Sequence, residues 1–195
     1  MERCGWVTED QVYLDYHDYE WGRPMKDDRE LFELLCLEGA QAGLSWLMIL
    51  KRRMQYREAF DQFDPSTIAD YSDEKIEELI QNEGIIRNRL KIRSVVKNAK
   101  AYQAVVEQYG SFSSYIWSFV DHQPIINHWT DLSEVPAQTE ESRRMSRQMK
   151  KDGFGFVGPT ICYAYMQSAG LVNDHLTGCF CHQEVKQLIE KGEFR

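Results

Sequence analysis

The 195-residue sequence lacks any long hydrophobic run: no apolar stretch approaches the roughly 20 residues that a helix needs to span a membrane. The opening residues, MERCGWVTED, lack the basic and then apolar regions of a secretory signal. Cysteine is scarce too, and the five cysteines are an odd number, which argues against a disulfide framework. We therefore expect a cytoplasmic protein with reduced thiols and no association with membranes.

Positive charge is in short supply overall. The formal net charge is −8, which argues weakly against binding to nucleic acid. The charge is unevenly spread, however: residues 84–106 hold six basic residues and no acid, and residues 143–151 hold five more without an acid. Each segment taken alone is as consistent with a solvated helix face as with a surface that faces phosphate.

Strict alternation of apolar and polar residues is also missing, and apolar residues recur at helical spacing almost throughout. Predicted helices end at Gly110, Gly153 and Gly170, because glycine commonly follows the last turn of a helix. Residues 121–139 contain two of the five prolines and few periodic positions, so we interpret them as a linker. The pattern predicts an all-α protein in which residues 1–195 form a single compact domain of two intimate helical lobes.

A hairpin of two helices at about 142–170 is the most informative local element. Its sequence, MKKDGFGFVGPTICYAYMQ, leads from a basic helix through a glycine-rich loop into a second helix that begins with proline, which suits that position. Loop amides that point outward beside a helix N-terminus would suit a phosphate oxygen. A tight helix–helix turn without a ligand explains the same pattern.

Soft metal ligands are concentrated at the two ends of the chain. In the tail, NDHLTGCFCHQ, His175 and Cys179 are four residues apart, and on a helical turn both side chains would share one face. Near the other end, Cys4 and His17 lie in an aromatic segment that we interpret as loop-like. Two cysteines and two histidines form a common tetrahedral zinc set, although an HxxxC spacing is often incidental. Two spare candidates adjoin the tail pair: Cys181 and His182.

Glu38 is an acidic residue in an apolar stripe, since it follows Leu31, Leu34 and Leu35 at helical spacing. An unpaired buried carboxylate is costly, so such a residue is either partnered or poised for chemistry with a raised pKa. Aromatic residues could surround it and form a pocket for a flat or cationic ligand: Trp6, Tyr13, Tyr16, Trp21 and Trp46. An aromatic core in which Glu38 forms a salt bridge or reaches solvent is equally consistent.

Several blocks, in order from Cys4 to about Cys181, resemble the 3-methyladenine DNA glycosylase I family of helix-hairpin-helix DNA glycosylases: ERCGWV, YHDYEWG, LFELLCLEGAQAGLSW, GIIRNRLKI and GFGFVGPTICYAYMQSAGLVNDH. The resemblance implies an all-α helix-hairpin-helix DNA glycosylase fold, with a zinc site that joins the N- and C-terminal segments. It implies base-excision repair of double-stranded alkylated DNA with 3-methyladenine as product. We expect the protein to act as a monomer.

The resemblance also implies roles for individual residues. Glu38 and Tyr16 would hydrogen-bond the excised base and Trp46 would stack on it, with three further aromatic residues in the pocket wall: Trp6, Tyr13 and Trp21. The hairpin would grip the DNA backbone through Gly153, Gly155, Gly158 and Thr160. One structural zinc ion would be held by Cys4, His17, His175 and Cys179.

The implied reaction is hydrolysis without strand cleavage. Thr160 stands where bifunctional relatives carry a lysine that forms a Schiff base, so we expect no lyase activity. Asp174 is the nearest candidate for the catalytic aspartate of the wider superfamily, but its position beside His175 puts that role in doubt. Leu44 is a candidate for the residue that fills the gap left by a flipped nucleotide. The alternatives are a non-catalytic, zinc-stabilised DNA-binding module and a protein-interaction adaptor.

Overall fold

The computed structural model describes residues 2–194. Helices account for most of this part of the chain, with the following bounds: α1 (Gln11–Tyr19), α2 (Asp28–Gln41), α3 (Trp46–Leu50), α4 (Arg53–Ala59), α5 (Pro65–Ala69), α6 (Asp73–Gln81), α7 (Arg89–Tyr109), α8 (Phe112–Trp117), α9 (Glu140–Lys151), α10 (Pro159–Ser168) and α11 (Phe180–Lys191). Three single turns of 3₁₀ helix occur at Asp61–Phe63, Ser118–Val120 and Leu132–Glu134. The prediction of a helical protein is confirmed.

Two short strands qualify the all-α prediction. β1 (Ile125–Ile126) pairs in parallel with β2 (Val172–Asn173), with Ile125 opposite Val172 and Ile126 opposite Asn173. The reading of 121–139 as a plain linker is therefore wrong, because this segment is hydrogen-bonded to the chain that follows α10. A two-residue pairing has no periodicity to detect in a sequence.

Helix α2 is the centre of the fold. All ten residues from 31 to 40 are buried, so the helix is enclosed on every side rather than along one stripe. Asp27 caps its first turn through its side chain. At the other end Lys91 donates hydrogen bonds from Nζ to the carbonyl groups of Ala40 and Ala42, at 2.8 and 2.6 Å. A cation at the C-terminus of a helix satisfies its free carbonyl groups.

The predicted hairpin is formed by α9, α10 and the loop between them. Ser146 donates a hydrogen bond from Oγ to the carbonyl oxygen of Val157 at 2.6 Å, which closes the hairpin from inside. Phe156 in the loop has a positive φ of 54° and packs on α2, where a Cβ atom at Gly39 would lie 3.2 Å from the Cβ of Phe156. The absence of a side chain at Gly39 thus lets the hairpin approach α2 next to Glu38.

The hydrophobic core has two parts. The larger cluster surrounds α2 and α7, and the smaller one lies around Tyr16, Trp21, Cys4 and Cys179. Trp46 packs against both clusters and links them. Among residues 2–194, no helix has the length and apolar character needed to cross a membrane.

Gly170 is a position where a turn and a close approach both require glycine. Its φ is +71°, and an added Cβ atom would lie 2.3–2.5 Å from backbone atoms of Arg23 and Pro24. The segment that follows α1 is fastened here, since the N–H of Met25 donates to the carbonyl of Ala169 at 3.0 Å. α7 ends at Gly110, as predicted, with φ at +85° but with open space around the Cβ position.

We expect G170A to lower the free energy of unfolding by at least about 4 kcal/mol, because backbone overlap is added to the left-handed conformation. The matched variant G110A changes the same residue type at a positive φ without overlap, and should cost about 1–2 kcal/mol. Urea unfolding of both variants measures the difference. Equal losses would show that the approach at Gly170 is relieved without cost.

Candidate functional site

A cavity of about 220 Å³ lies between α1, α2, α10 and the 121–139 segment. All six residues that the sequence proposed for a pocket line it: Trp6, Tyr13, Tyr16, Trp21, Glu38 and Trp46. Seven further residues complete the lining: Gln41, Leu132, Val135, Ala164, Gln167, Ser168 and Asp174. A largely aromatic cavity with a few polar groups is typical of a small-molecule site.

Helix α1 contributes side chains both to the cavity and to the cluster of candidate metal ligands. Asp10 caps the helix by accepting a hydrogen bond from the N–H of Val12 at 3.1 Å. Tyr13 and Tyr16 are three residues apart and both reach the cavity. His17 is fully buried on the neighbouring side of the helix, among the soft ligands. The prediction that His17 lies in a loop-like segment is wrong.

Glu38 is joined to Tyr16 through a residue that the sequence did not single out. Ser168, at the end of α10, donates a hydrogen bond from Oγ to Glu38 Oε1 at 2.7 Å. Tyr16 donates from its hydroxyl to Ser168 Oγ at 2.9 Å. Because the serine has one proton, this direction leaves it as acceptor for Tyr16 and donor to Glu38.

Glu33, on the same helix as Glu38, is a buried carboxylate that does have a cationic partner. Glu33 is also buried, but Arg57 donates to both of its oxygens at 2.9 Å. Among the described residues Glu38 has no such cation and is only 3% exposed. Burial raises the pKa of Glu38 to about 7, and the hydrogen bond from Ser168 offsets part of that effect.

The aromatic residues pack around the cavity in edge-to-face or tilted pairs. Trp6 lies 5.0 Å from Tyr13 and 5.1 Å from Trp21 between ring centroids, and Tyr16 lies 5.6 Å from Trp46. The indole N–H of Trp46 is buried and has no hydrogen-bond partner among residues 2–194. An unpaired buried donor costs about 1–3 kcal/mol, which a bound molecule with an acceptor would offset.

Asp174 is buried at the cavity wall and accepts four hydrogen bonds. Asn127 and Trp129 donate to Oδ1 at 2.6 and 2.9 Å, while Tyr163 and Gln167 donate to Oδ2 at 2.5 and 2.8 Å. A carboxylate has about four lone-pair sites, so none remains for a water molecule. This saturation supports the doubt about a catalytic Asp174 and indicates that it ties residues 121–139 to α10.

The four predicted metal ligands converge. Cys4, His17, His175 and Cys179 are all buried, and their ligand atoms lie within 4.8 Å of one another. Cys4 Sγ lies 3.6 Å from His175 Nδ1, and Cys179 Sγ lies 3.5 Å from His17 Nε2 and 3.7 Å from His175 Nδ1. Tetrahedral zinc with its usual bond lengths puts sulfur and nitrogen ligands about 3.5 Å apart, so these residues fit such an ion.

In both candidate ligand histidines, a hydrogen-bond partner holds the ring nitrogen that does not face the cluster. His17 Nδ1 lies 2.7 Å from Oδ1 of Asp18, whose carboxylate is also held by Arg3. His175 Nε2 donates to the carbonyl oxygen of Trp21 at 3.0 Å, which leaves Nδ1 unprotonated as a ligand. Burial lowers the pKa of His175, which favours this neutral form.

The local geometry of the tail differs from the expected helical turn. His175 and Cys179 lie in the irregular segment between β2 and α11, and α11 begins only at Phe180. Cys181 lies outside the four-ligand set, with its sulfur 3.9 Å from His17 Nδ1. The imidazole of His182 contacts the 121–139 segment: its Nε2 lies 2.8 Å from the carbonyl oxygen of Asn127.

Two of the four amides expected to face DNA are engaged within the protein. The N–H of Gly155 donates to Asn98 Oδ1 at 2.7 Å, and that of Gly153 donates to the carbonyl of Lys150 at 3.3 Å. The amides of Gly158 and Thr160, at the start of α10, make no hydrogen bond to another described residue. Only these two keep the geometry of an anion site at a helix N-terminus.

Ser168 and the residues of the 121–139 segment are the site residues that the sequence reasoning missed. A serine at the end of an apolar helix is a weak signal, and its partner Glu38 lies 130 residues away in the sequence. Leu132 and Val135 reach the cavity from the segment taken as a linker. The Glu38–Ser168 pair becomes visible only when α2 and α10 are packed together.

Comparison with known proteins decides the family. A family model described as methyladenine glycosylase matches residues 6–182. The chain belongs to the methyladenine glycosylase family. DNA-3-methyladenine glycosylase 1 of Escherichia coli (strain K12) is 52% identical over 182 residues, which cover 93% of this chain and 97% of that relative.

Solved structures of this family have the same fold. A crystal structure of 3-methyladenine DNA glycosylase I is 54% identical, with a TM-score of 0.90 over 93% of this chain and 100% of that one. A second, of a variant of 3-methyladenine DNA glycosylase I in complex with 3-methyladenine, is 37% identical, with a TM-score of 0.90 over 92% of this chain and 97% of that one. The helical architecture is therefore that of the family.

Stability should report the cost of ionising Glu38. Because its pKa is raised from 4.5 to about 7 in the folded state, the folded protein binds the proton more tightly and loses stability as pH rises across that window. We expect E38Q to be more stable than the parent by up to about 3 kcal/mol above pH 7 and similar to it near pH 5. Urea unfolding from pH 5 to 8 measures this trend.

The control is E33Q, which changes the same side chain on the same helix but breaks the pair with Arg57, and it should destabilise the protein. If the free energies of unfolding of E38Q and the parent differed by the same amount at every pH, that result would contradict the raised pKa of Glu38.

Proposed function

We propose that this chain is a base-excision repair enzyme that hydrolyses the N-glycosidic bond of 3-methyladenine in alkylated double-stranded DNA. The observation that carries the proposal is Glu38, a desolvated carboxylate without a cation among the described residues, at the wall of an aromatic cavity. Membership of the family and its 3-methyladenine complex support the same substrate.

Recognition rests on the charge of the lesion. N3-methylated adenine in DNA is cationic, whereas unmodified adenine is neutral. An ionised Glu38 attracts the cation inside a cavity of low dielectric, where the interaction is stronger than in water. Trp46 stacks on the ring while Glu38 and Tyr16 hydrogen-bond its edge, and the electron-rich faces of Trp6, Tyr13 and Trp21 favour a positive ring.

Cleavage of this glycosidic bond needs little catalytic assistance. The cationic base is a good leaving group, so the bond between the sugar carbon and the base breaks with its electron pair on the base. Water then bonds to that carbon and releases a proton to solvent, which gives neutral 3-methyladenine and an abasic site. No lysine lines the cavity among the described residues, so no amine is placed to form a Schiff base with the sugar. We therefore expect no strand cleavage.

DNA contact is assigned to the hairpin. The unpaired amides of Gly158 and Thr160 would bind a phosphate at the N-terminus of α10, with Gly153 and Gly155 shaping the loop. Ser168 lies eight residues after Thr160 on the same helix, which corresponds to about 12 Å at 1.5 Å per residue. A single rigid helix would thus set the distance between a backbone phosphate and the base in the cavity, and the target nucleotide would have to leave the stack to reach it.

A single structural zinc ion is proposed for Cys4, His17, His175 and Cys179. The ion would close a tetrahedral site and supply folding energy rather than take part in hydrolysis. Trp6 and Trp21 support this view because their rings pack on the ligand histidines: Trp6 lies 5.3 Å from His17 and Trp21 lies 4.6 Å from His175. The metal would thereby hold one wall of the cavity.

Release of free 3-methyladenine from methylated duplex DNA, measured by mass spectrometry, tests the function. We expect multiple turnovers with the parent protein and a loss of roughly 100-fold in kcat/KM for E38Q, since a buried charge contact is removed. The parent kcat/KM should fall about tenfold per pH unit below pH 7 as Glu38 takes up a proton. Binding of methylated DNA without release would instead identify a non-catalytic DNA-binding module.

Metal analysis tests the zinc proposal. The purified protein should contain one zinc per chain, and C179A should lose it together with several degrees of melting temperature. The matched control is C162A, which also removes a buried thiol but lies outside the ligand set, and it should retain zinc. A parent protein that purifies without zinc and melts at the same temperature with and without a chelator would overturn the proposal.

A further inference from the structure

The two base-rich segments differ in how their charges are used. Acidic neighbours pair with five of the six arginines in these segments: Arg87 with Glu83, Arg89 with Glu77, Arg93 with Asp73, and both Arg143 and Arg147 with Glu140. Four exposed lysines form no ion pair with any residue in 2–194: Lys97, Lys100, Lys150 and Lys151. Lys91 and Arg144 form no ion pair either, but their side chains donate to backbone carbonyl groups. Within residues 2–194, the positive charge of both segments that has neither kind of partner is therefore carried by these four lysines.

The four lysines surround the hairpin loop. Lys150 and Lys151 end α9 directly before the loop. Lys97 and Lys100 are three residues apart and share a face of α7. Lys97 and Lys100 line an open groove of about 550 Å³ together with Gly153.

The lysine pair on α7 is held in register with the loop. Asn98 accepts a hydrogen bond from the N–H of Gly155 at 2.7 Å and donates from Nδ2 to its carbonyl oxygen at 3.3 Å. A Cβ atom at Gly155 would lie 3.7 Å from Cδ of Lys97, so the lysine stem runs along the loop backbone. Gly155 thus contributes to this surface through its lack of a side chain, although its amide is occupied.

The acids at the groove are already engaged. Asp73 pairs with Arg93. Asp152 accepts a hydrogen bond from the Tyr115 hydroxyl at 2.6 Å and others from Gln148. The groove and the end of α9 together hold five cations and two carboxylates, on a chain whose net charge is −8. A local positive field of this kind on an acidic protein selects an anionic partner.

We propose that Lys97 and Lys100 form a second phosphate-binding surface, which extends the contact with duplex DNA beyond the hairpin amides. The inference rests on the proposed function, which supplies the partner. Lysine suits this task because its flexible point charge can follow a backbone without reading sequence. Lys91, whose Nζ is bound at the end of α2, lies about 9 Å nearer the start of α7 than Lys97, so the lysine surface lies on a helix that also contacts the helix of Glu38.

The salt dependence of binding tests the surface. The dissociation constant for a duplex that carries a tetrahydrofuran abasic-site analogue is measured between 50 and 200 mM NaCl for the parent, K97A/K100A and R87A/R89A. R87A/R89A also removes two positive charges, at the start of α7 and just before it, but both of these are ion-paired. We expect the slope of log K against log salt to become shallower by about 1.8 for K97A/K100A, and to change little for R87A/R89A.

The outcomes separate this inference from the proposed function. Equal slopes for the two double variants would overturn the lysine surface, even if the parent releases 3-methyladenine. A shallower slope for K97A/K100A alone would support the surface, even if the parent released no base. Circular dichroism melting of both variants ensures that the comparison is made on folded protein.

Discussion

Burial of a carboxylate that has no cationic partner among residues 2–194 is the constraint on which the rest of this structure depends. Glu38 is buried in the central helix, and the hydroxyl of Ser168 stabilises its side chain by a hydrogen bond. Because that arrangement is costly on its own, the surroundings must be rigid enough to maintain it. Lys91 closes the end of α2, and Gly39 lets the hairpin pack beside it. Burial of Glu38 thus lowers the stability of the folded protein, and a bound cationic ligand would restore it.

The two ends of the chain supply much of that rigidity. His17 and His175 come from opposite ends and meet in one buried cluster, and the rings of Trp6 and Trp21 pack on them. On the other side of the cavity, Asp174 gathers four donors from the 121–139 segment and α10. The proposed metal site and the saturated carboxylate therefore act as two fixed points, between which the aromatic walls are held.

Much of the fold and of the site could be predicted from the sequence. Helix ends such as Gly110 are encoded locally, because few residues other than glycine adopt a positive φ without cost. Glu38 was conspicuous since it interrupts an apolar stripe. Ser168 and the pairing of β1 with β2 were not predictable, because each depends on partners far away in the sequence and leaves no periodic signal. The engaged amide of Gly155 was missed for the same reason.

The desolvated site depends most directly on the pKa of the Glu38 carboxyl group. A carbon-13 NMR titration of the side-chain carboxyl, with E38Q identifying the resonance, gives its pKa in the folded protein. We expect a midpoint at about 7, against an ordinary value of 4.5, because burial without a nearby cation favours the protonated form. A midpoint near 4.5 would show that the carboxylate is well solvated or paired, and would contradict the desolvated site proposed for the cationic base.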